Sequence, residues 1–371
     1  MSVFESVARQ EERALSRLRD LYRRYGYSQF KMSKFEEYDL YVRNKSFLLS
    51  DHVITFTDTD GKLMALKPDV TLSIVKSSRD KPDGVRKVYY NENVYRVPRG
   101  EQSFREIMQT GLECIGNIDT YCIAEVLILA AKSLAVLSPH YVLDISHLGV
   151  VSKLIDRLGV SDTARQQILQ CVGEKNPHGI DGICRTEGID PEKAESLKRL
   201  MTTDGDCDRM LALLAEADCK EEATELSDIL SAVRFIMGDF HIRLDLSVVN
   251  DMNYYNGIAF SGFIDGIPTS ILSGGQYDNL MRKMGKQSGA IGFAVYLDLI
   301  DRLYDGSEDY DADAVIVYEG QTDAAIICNQ VDALTAEGNR VIVRRTVPTR
   351  MRYKKLIKIV DGEVQIIEDN A

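Results

Sequence analysis

Between residues 149 and 236 the chain is written almost entirely in helical periodicity. LGVVSKLIDRLGV, DTARQQILQCV, PEKAESLKRLM, CDRMLALLAEA and EEATELSDILSAVRFI are short, leucine-rich amphipathic segments. Strand patterning precedes this block and resumes after it with IRLDLSVV and GIAFSGFIDGIPTSILSGG. Strand signals on both sides of a helical block mean one sheet interrupted by an insertion, which rules out most simple serial arrangements.

The flanking segments define that sheet. SVARQEERALSRLRDLYRRYGY has apolar residues at helical spacing and stops at Gly26, a natural C-cap. HVITFTDTDGKLMALKPDVT alternates apolar and polar residues around DTDG, a hairpin signal. VRKVYYNENVYRV and MQTGLECIG read as a second strand pair, joined by a loop rich in arginine (Arg96, Arg99 and Arg105), and TYCIAEVLILAAKSLAVL as a buried helix. Such an order calls for an antiparallel sheet with helices, not a parallel dinucleotide-binding fold. GAIGFAVYLDLIDRLY reads as a helix packed on the sheet, and DGSEDYDAD as an acidic linker. Strand, helix, glycine stop, strand and a hairpin around DG then make a small α/β domain. The expected organisation is an α+β core over residues 1–308, its helical insertion at about 149–236, and a C-terminal domain over 309–371.

Composition limits the function. With 45 basic against 57 acidic residues the net charge is −12, which argues against general nucleic-acid binding. No stretch reads as a membrane span, and the N-terminus reads as a polar helix rather than a secretory signal. The seven cysteines (Cys114, Cys122, Cys171, Cys184, Cys207, Cys219 and Cys328) are scattered without a CxxC pair, which suits reduced thiols in a cytoplasm. His52, His140, His147, His178 and His241 form no metal-ligand spacing, so neither a zinc site nor another cofactor is expected.

Chemistry concentrates in KPDVT (67–71), REIMQTGLE (105–113), NDMNYYNG (250–257) and SGGQYD (273–278). Each alone fits a turn, a hairpin or a strand-to-loop break. In this order and spacing they resemble the histidyl-tRNA synthetase group of class II aminoacyl-tRNA synthetases. Its FRxE and [FY]RxFxQxGxE segments correspond to VYRVP and FREIMQTGLE, its RPExT to KPDVT, its RGLDYYTG to NDMNYYNG, its GGRYD to GGQYD, and its GFAxGxERL to GFAVYLDLI. The resemblance covers residues 1 to about 305 and implies a class II synthetase-like fold and a dimer formed through the N-terminal part of the core.

By that resemblance Glu113, Tyr255 and Tyr277 would recognise an imidazole, while Asp69, Thr71 and Gln109 would hold the polar end of histidine. The residue types fit these roles, since carboxylates pair with N–H and ammonium groups, and tyrosines donate or accept at the second ring nitrogen. The departures fall elsewhere. Amino-acid activation gathers positive charge around the attacked phosphate of ATP. Arg96 is retained for this, but Leu299 and Asn250 stand at the other two arginine positions and Pro98 replaces the acid of FRxE. Each lost donor lowers such a rate by about 10²–10³, so no catalytic residue for adenylation is assigned. Gln276 replaces an arginine without an evident consequence.

A synthetase-like body with the amino-acid pocket kept and the activating arginines lost resembles the regulatory-subunit family of ATP phosphoribosyltransferase. This implies a short-form catalytic subunit as partner within a hetero-oligomer and histidine as effector, while Arg96 and Arg105 of the former phosphate-gripping loop either still contact an anion or face solvent. A truncated or specialised histidyl-tRNA synthetase and a histidine- or tRNA-sensing pseudo-synthetase stand as alternatives. The basic stretch NRVIVRRTVPTRMRYKKLIK admits three readings: a solvated face, a subunit-docking surface or an RNA contact.

Overall fold

The computed structural model describes residues 3–48, 52–80, 84–97, 103–203, 205–238, 241–249, 254–298, 300, 310–320, 322–348, 351–360 and 363–369. Two compact units divide the chain: residues 9–303, and residues 304–371 together with Met1–Ala8. Pro98, Arg99, Asn250, Leu299 and most of the acidic linker lie outside the described residues.

Helix α1 (Val3–Arg24) buries Ala14, Leu18 and Tyr22, one residue per turn on a single face. It stops at Gly26, whose φ of +83° is open to a residue without a side chain. There Gly26 N–H bonds to Arg23 C=O and Tyr27 N–H to Tyr22 C=O, which closes the last turn as a Schellman motif. The next segment opens the sheet with β1 (Ser28–Gln29). A separate three-stranded antiparallel sheet follows, built from β2 (Phe35–Glu37), β3 (Thr55–Thr57) and β4 (Leu63–Leu66), with α2 (Tyr38–Arg43) after β2. The DTDG turn between β3 and β4 forms as its sequence requires, with Gly61 at φ +84°.

The main sheet adds β5 (Val85–Arg96), β6 (Arg105–Gly116), β7 (Tyr141–His147), β8 (Ile242–Leu244), β9 (Ile258–Ile264), β10 (Leu272–Gln276) and β11 (Gly289–Tyr296). Its order is β1-β5-β6-β11-β10-β9-β7-β8. All neighbours are antiparallel except the outer pairs β1–β5 and β7–β8. Helix α3 (Thr71–Ser77) follows β4, and α4 (Thr120–Leu137) crosses from β6 to β7.

The helical block is an insertion between β7 and β8. It comprises α5 (Leu148–Asp156), α6 (Asp162–Gly173), α7 (Pro177–Thr186), α8 (Glu195–Thr202), α9 (Cys207–Glu216) and α10 (Lys220–Met237). Parallel strands need a long crossover, and these helices supply it: β8 returns beside β7 with Ile242 opposite Leu143. Side chains such as Leu197, Leu214, Leu226 and Leu230 join one apolar core with Leu127, Leu134, Phe260 and Phe293. Insertion and sheet are therefore one hydrophobic body.

Two expectations are corrected. GAIGFAVY is not a helix but strand β11, placed between β6 and β10 in the middle of the sheet. A run of small and apolar residues buried on both faces has no period to betray it, so its periodicity does not separate strand from helix. Helix α4 is, against the reading that no segment qualifies, long and apolar enough to cross a membrane. Its apolar residues, among them Ile123, Val126, Leu127, Ala130 and Leu134, are instead buried in the protein core.

The second unit carries a sheet of order β13-β12-β14-β15, from β12 (Ala312–Tyr318), β13 (Val341–Arg344), β14 (Tyr353–Val360) and β15 (Glu363–Asp369). Helix α12 (Ala324–Ala336) connects β12 to β13. Its basic residues have acidic neighbours: Arg340 and Lys354 reach Asp313 at 3.0 and 2.9 Å, and Lys358 reaches Glu319 at 2.9 Å. This local neutralisation fits the solvated-face reading of the basic stretch.

Because nothing lies within 4 Å of a Cβ added at Gly26, replacement by alanine isolates the backbone term. Gly26→Ala is expected to destabilise the protein by about 1–2 kcal/mol through left-handed strain alone, read as a lower urea midpoint with an unchanged m-value.

Candidate functional site

One face of the main sheet is floored by small residues and walled by large polar ones. Antiparallel register sets Gly292 opposite Glu113, Ala294 opposite Gly111 and Tyr296 opposite Gln109, while Ser273 stands opposite Ala294 on the other side of β11. Directly opposed residues share a face, so the short side chains of β10, β11 and β6 make a trough. Asp69, Thr71, Tyr90, Arg96, Gln109, Glu113, Tyr254, Tyr255, Tyr277 and Tyr296 rise around it, and the cavity holds about 500 Å³ of empty volume, mouth included.

Glu113 closes one end. Only 2% exposed, it accepts hydrogen bonds from Thr71 Oγ1 (2.7 Å) and Tyr277 Oη (2.6 Å). A Cβ at position 292 would lie 1.8 Å from Glu113 Oε2, so only glycine lets the carboxyl group rest against β11. Burial pushes the Glu113 carboxyl up to about 8; the Tyr277 and Thr71 hydroxyls oppose this, and the Asp69 charge adds to it. At neutral pH this group therefore holds a proton that it can share with a bound base.

Tyr277 is fixed from behind. The chain enters α11 (Asp278–Lys283) just after it, and Asp278 accepts from Ala290 N–H (2.9 Å) and from Asn256 Nδ2 (3.3 Å). Gln276 has a similar bracing duty: its Oε1 accepts from Ile258 N–H at 2.7 Å, close over Gly257. This gives a structural role to a residue whose substitution has no evident consequence in the sequence. Tyr254 meets Tyr255 edge-to-face with centroids 4.8 Å apart and tilts against Tyr277 at 5.9 Å.

Asp69 and Arg96 stand on the same lining. Asp69 Oδ1 accepts from Leu72 N–H (2.8 Å) at the start of α3, which anchors the carboxylate. The Asp69 carboxyl is pushed up from its usual value, because burial outweighs the opposing Leu72 N–H, Arg96 charge and Thr71 N–H. Arg96 is 9% exposed and lies over the ring of Tyr296, 5.3 Å from the centroid. The segment carrying Asp69 is pinned by the fully buried Lys67, which bonds to Glu92 at 2.5 Å, and by Lys67 C=O accepting from Tyr95 N–H.

All six residues assigned to the amino acid by resemblance (Asp69, Thr71, Gln109, Glu113, Tyr255 and Tyr277) line this cavity, as does Arg96. Arg105 does not: it stands opposite Arg96 in register but is exposed beyond the lining. Tyr90, Tyr254, Ser273 and Tyr296 line it too, and sequence reasoning missed them. Tyr254 is the most legible of these, as the first of two adjacent tyrosines. No group of three metal-binding side chains stands together among the described residues.

The raised Glu113 carboxyl has a consequence for stability. The folded state keeps the proton to about pH 8, the unfolded chain releases it near 4.5, and stability falls with pH wherever the folded state binds more protons. Wild type is thus expected to lose stability relative to Glu113→Gln between pH 5 and pH 8, measured by urea denaturation of the ligand-free proteins at both pH values.

Comparison with known proteins places these features in a family. The family model described as Histidyl-tRNA synthetase matches residues 2–300. The ATP phosphoribosyltransferase regulatory subunit of Oceanobacillus iheyensis is 26% identical over 350 residues, 91% of this chain and 85% of that protein. That of Caldanaerobacter subterraneus subsp. tengcongensis is 30% identical over 293 residues, 76% of each chain. A chain of the ATP phosphoribosyl transferase (HisG:HisZ) complex from Thermotoga maritima superposes with a TM-score of 0.60 at 19% identity, covering 76% of this chain and 96% of that one, a likeness of fold. The chain belongs to the histidyl-tRNA synthetase family, with its class II synthetase-like fold, and within it to the regulatory subunits of ATP phosphoribosyltransferase.

Proposed function

We propose that this regulatory subunit is non-catalytic, that a short-form ATP phosphoribosyltransferase catalytic subunit needs it for activity, and that free histidine bound in its cavity inhibits the assembly. The HisG:HisZ assembly of the Thermotoga maritima relative supports the choice of partner. Glu113 is the observation that carries the effector: a buried, proton-holding carboxyl between two hydroxyls at the closed end of a trough, with Asp69 and Gln109 on the same lining. Imidazole is the amino-acid side chain that matches a carboxyl poised near neutrality. A proton passing from Glu113 to the ring yields a carboxylate–imidazolium pair without uptake from solvent. The ammonium then meets Asp69. Control of a distant active site follows if histidine binds the active and inhibited assemblies with different affinity.

Self-association is assigned to the outer face of the small sheet. Phe35 pairs with Leu66 and Phe56 with Met64, so these four side chains share one face, where Phe35 and Phe56 meet edge-to-face at 5.5 Å while partly exposed. Phe35→Glu is expected to shift the protein toward monomer, as measured by sedimentation velocity.

Histidine affinity is expected to be bell-shaped in pH. The shared proton is retained between the free imidazole value of roughly 6.5 and the Glu113 value of about 8, and affinity declines on both sides. Calorimetric titrations of the wild type from pH 5.5 to 9 read this. The decisive assay is phosphoribosyl-ATP formation by the short catalytic subunit with and without this protein, followed by histidine titration. Activity that needs this chain, and inhibition lost in Glu113→Gln, is the expected result. No stimulation and no association would sink the reading, and histidine-dependent ATP–pyrophosphate exchange would then bring forward the truncated synthetase.

A further inference from the structure

We propose that Tyr296 is a specificity stop that confines the cavity to a free amino acid and shuts out ligands extended through the carboxylate, above all an aminoacyl nucleotide. This deepens the histidine reading above and rests on it.

Strand β11 offers the trough three positions, Gly292, Ala294 and Tyr296. The first two leave the floor open. The third carries the only large side chain that β11 contributes to the lining on this face. Tyr296 is paired with Gln109, four residues along β6 from Glu113, a separation of about 13 Å at the usual strand rise. With the imidazole at Glu113 and the ammonium at Asp69, an amino acid reaches with its carboxylate toward Gln109, Arg96 and Tyr296. A free acid ends there; an ester or mixed anhydride continues.

Arg96 supports this assignment. It is the arginine that the synthetase-like motif retains for the phosphate next to the amino acid. In this chain its guanidinium lies over the Tyr296 ring and is nearly buried. One face of the cation is therefore covered by an aromatic ring rather than left to a phosphate. The position itself reads the same way, because GFAVYLDLI sets Tyr296 where GFAxGxERL has a glycine. A tyrosine in place of a hydrogen atom both fills the exit and holds the arginine.

The test uses full-length wild type, Tyr296→Phe and Tyr296→Gly in calorimetric titrations. The ligands are L-histidine and a non-hydrolysable sulfamoyl-adenosine analogue of histidyl-adenylate. Wild type and Tyr296→Phe, which keeps the ring, are expected to bind histidine and to bind the analogue at least about tenfold more weakly than Tyr296→Gly, the size of a moderate steric clash. A cooperative urea transition in the glycine variant reports that it is folded, and the ratio of analogue to histidine affinity is compared between the proteins; Tyr296→Ala replaces it if that transition is lost. Equal analogue affinity in wild type and the opened variant would overturn the stop while leaving histidine binding standing. Absence of histidine binding to wild type would overturn both.

Discussion

A carboxyl group set into the middle of a β-sheet face is the constraint around which this protein is arranged. Desolvation of Glu113 outweighs two short hydroxyl hydrogen bonds, and so the group holds its proton through neutrality instead of ionising. Its neighbours follow from that demand. Thr71 must come from the first turn of α3, Tyr277 from the end of β10, and position 292 must have no side chain. Three segments far apart in sequence are thus committed to one oxygen pair. The supporting contacts, Asp278 behind Tyr277 and Lys67 with Glu92 behind Asp69, keep those segments from drifting. A buried carboxyl whose two hydroxyl hydrogen bonds do not offset its burial is costly to a core with no use for it, and that cost supports the ligand proposed for the cavity.

Much of the frame is legible in the sequence because its signals are local. A glycine after a helical face fixes the end of α1, DTDG fixes the hairpin of β3 and β4, and a block of leucine-rich helices between strand signals can only be an insertion. The six pocket residues are legible for another reason: their motifs keep residue types at fixed spacing. What stays hidden depends on long-range register. Tyr90 faces the cavity because β5 pairs it with Gly111, and no single segment encodes that pairing. Strand β11 reads as a helix because burial on both faces removes polar alternation, and with that goes the chance to see Tyr296 beside Arg96. Gln276 is opaque because its partner is a backbone N–H at Ile258, eighteen residues away.

The same dependence on register separates the two arginines that the sequence groups together. Arg96 and Arg105 are directly opposed across β5 and β6, yet one is buried against Tyr296 and lines the cavity while the other is exposed outside it. Proximity in a strand pair therefore does not make them a common anion grip. Among the residues that line the trough, Arg96 alone carries a positive charge. That is ample for one carboxylate, and little for a polyphosphate.

The effector role proposed for the cavity also requires parts that can change. Floor residues such as Gly292, Ala294 and Gly111 belong to central strands held on both sides, and none has a side chain with rotamers through which to respond. The walls differ: Asp69 and Thr71 sit at the entry to α3, and Tyr254 and Tyr255 lie before β9, outside the ladder. Under that proposal, differential affinity between two assembly states arises in the walls. It need not involve a large motion. A hydrogen bond to a charged group contributes about 1.5–3 kcal/mol, and each 1.4 kcal/mol is a factor of about ten in affinity. Under the proposed histidine reading, moving Asp69 out of reach of the ammonium, by a small shift of the turn that leads into α3, would be enough for the ligand to prefer one assembly over the other by ten- to a hundredfold, or about 1.4–2.8 kcal/mol.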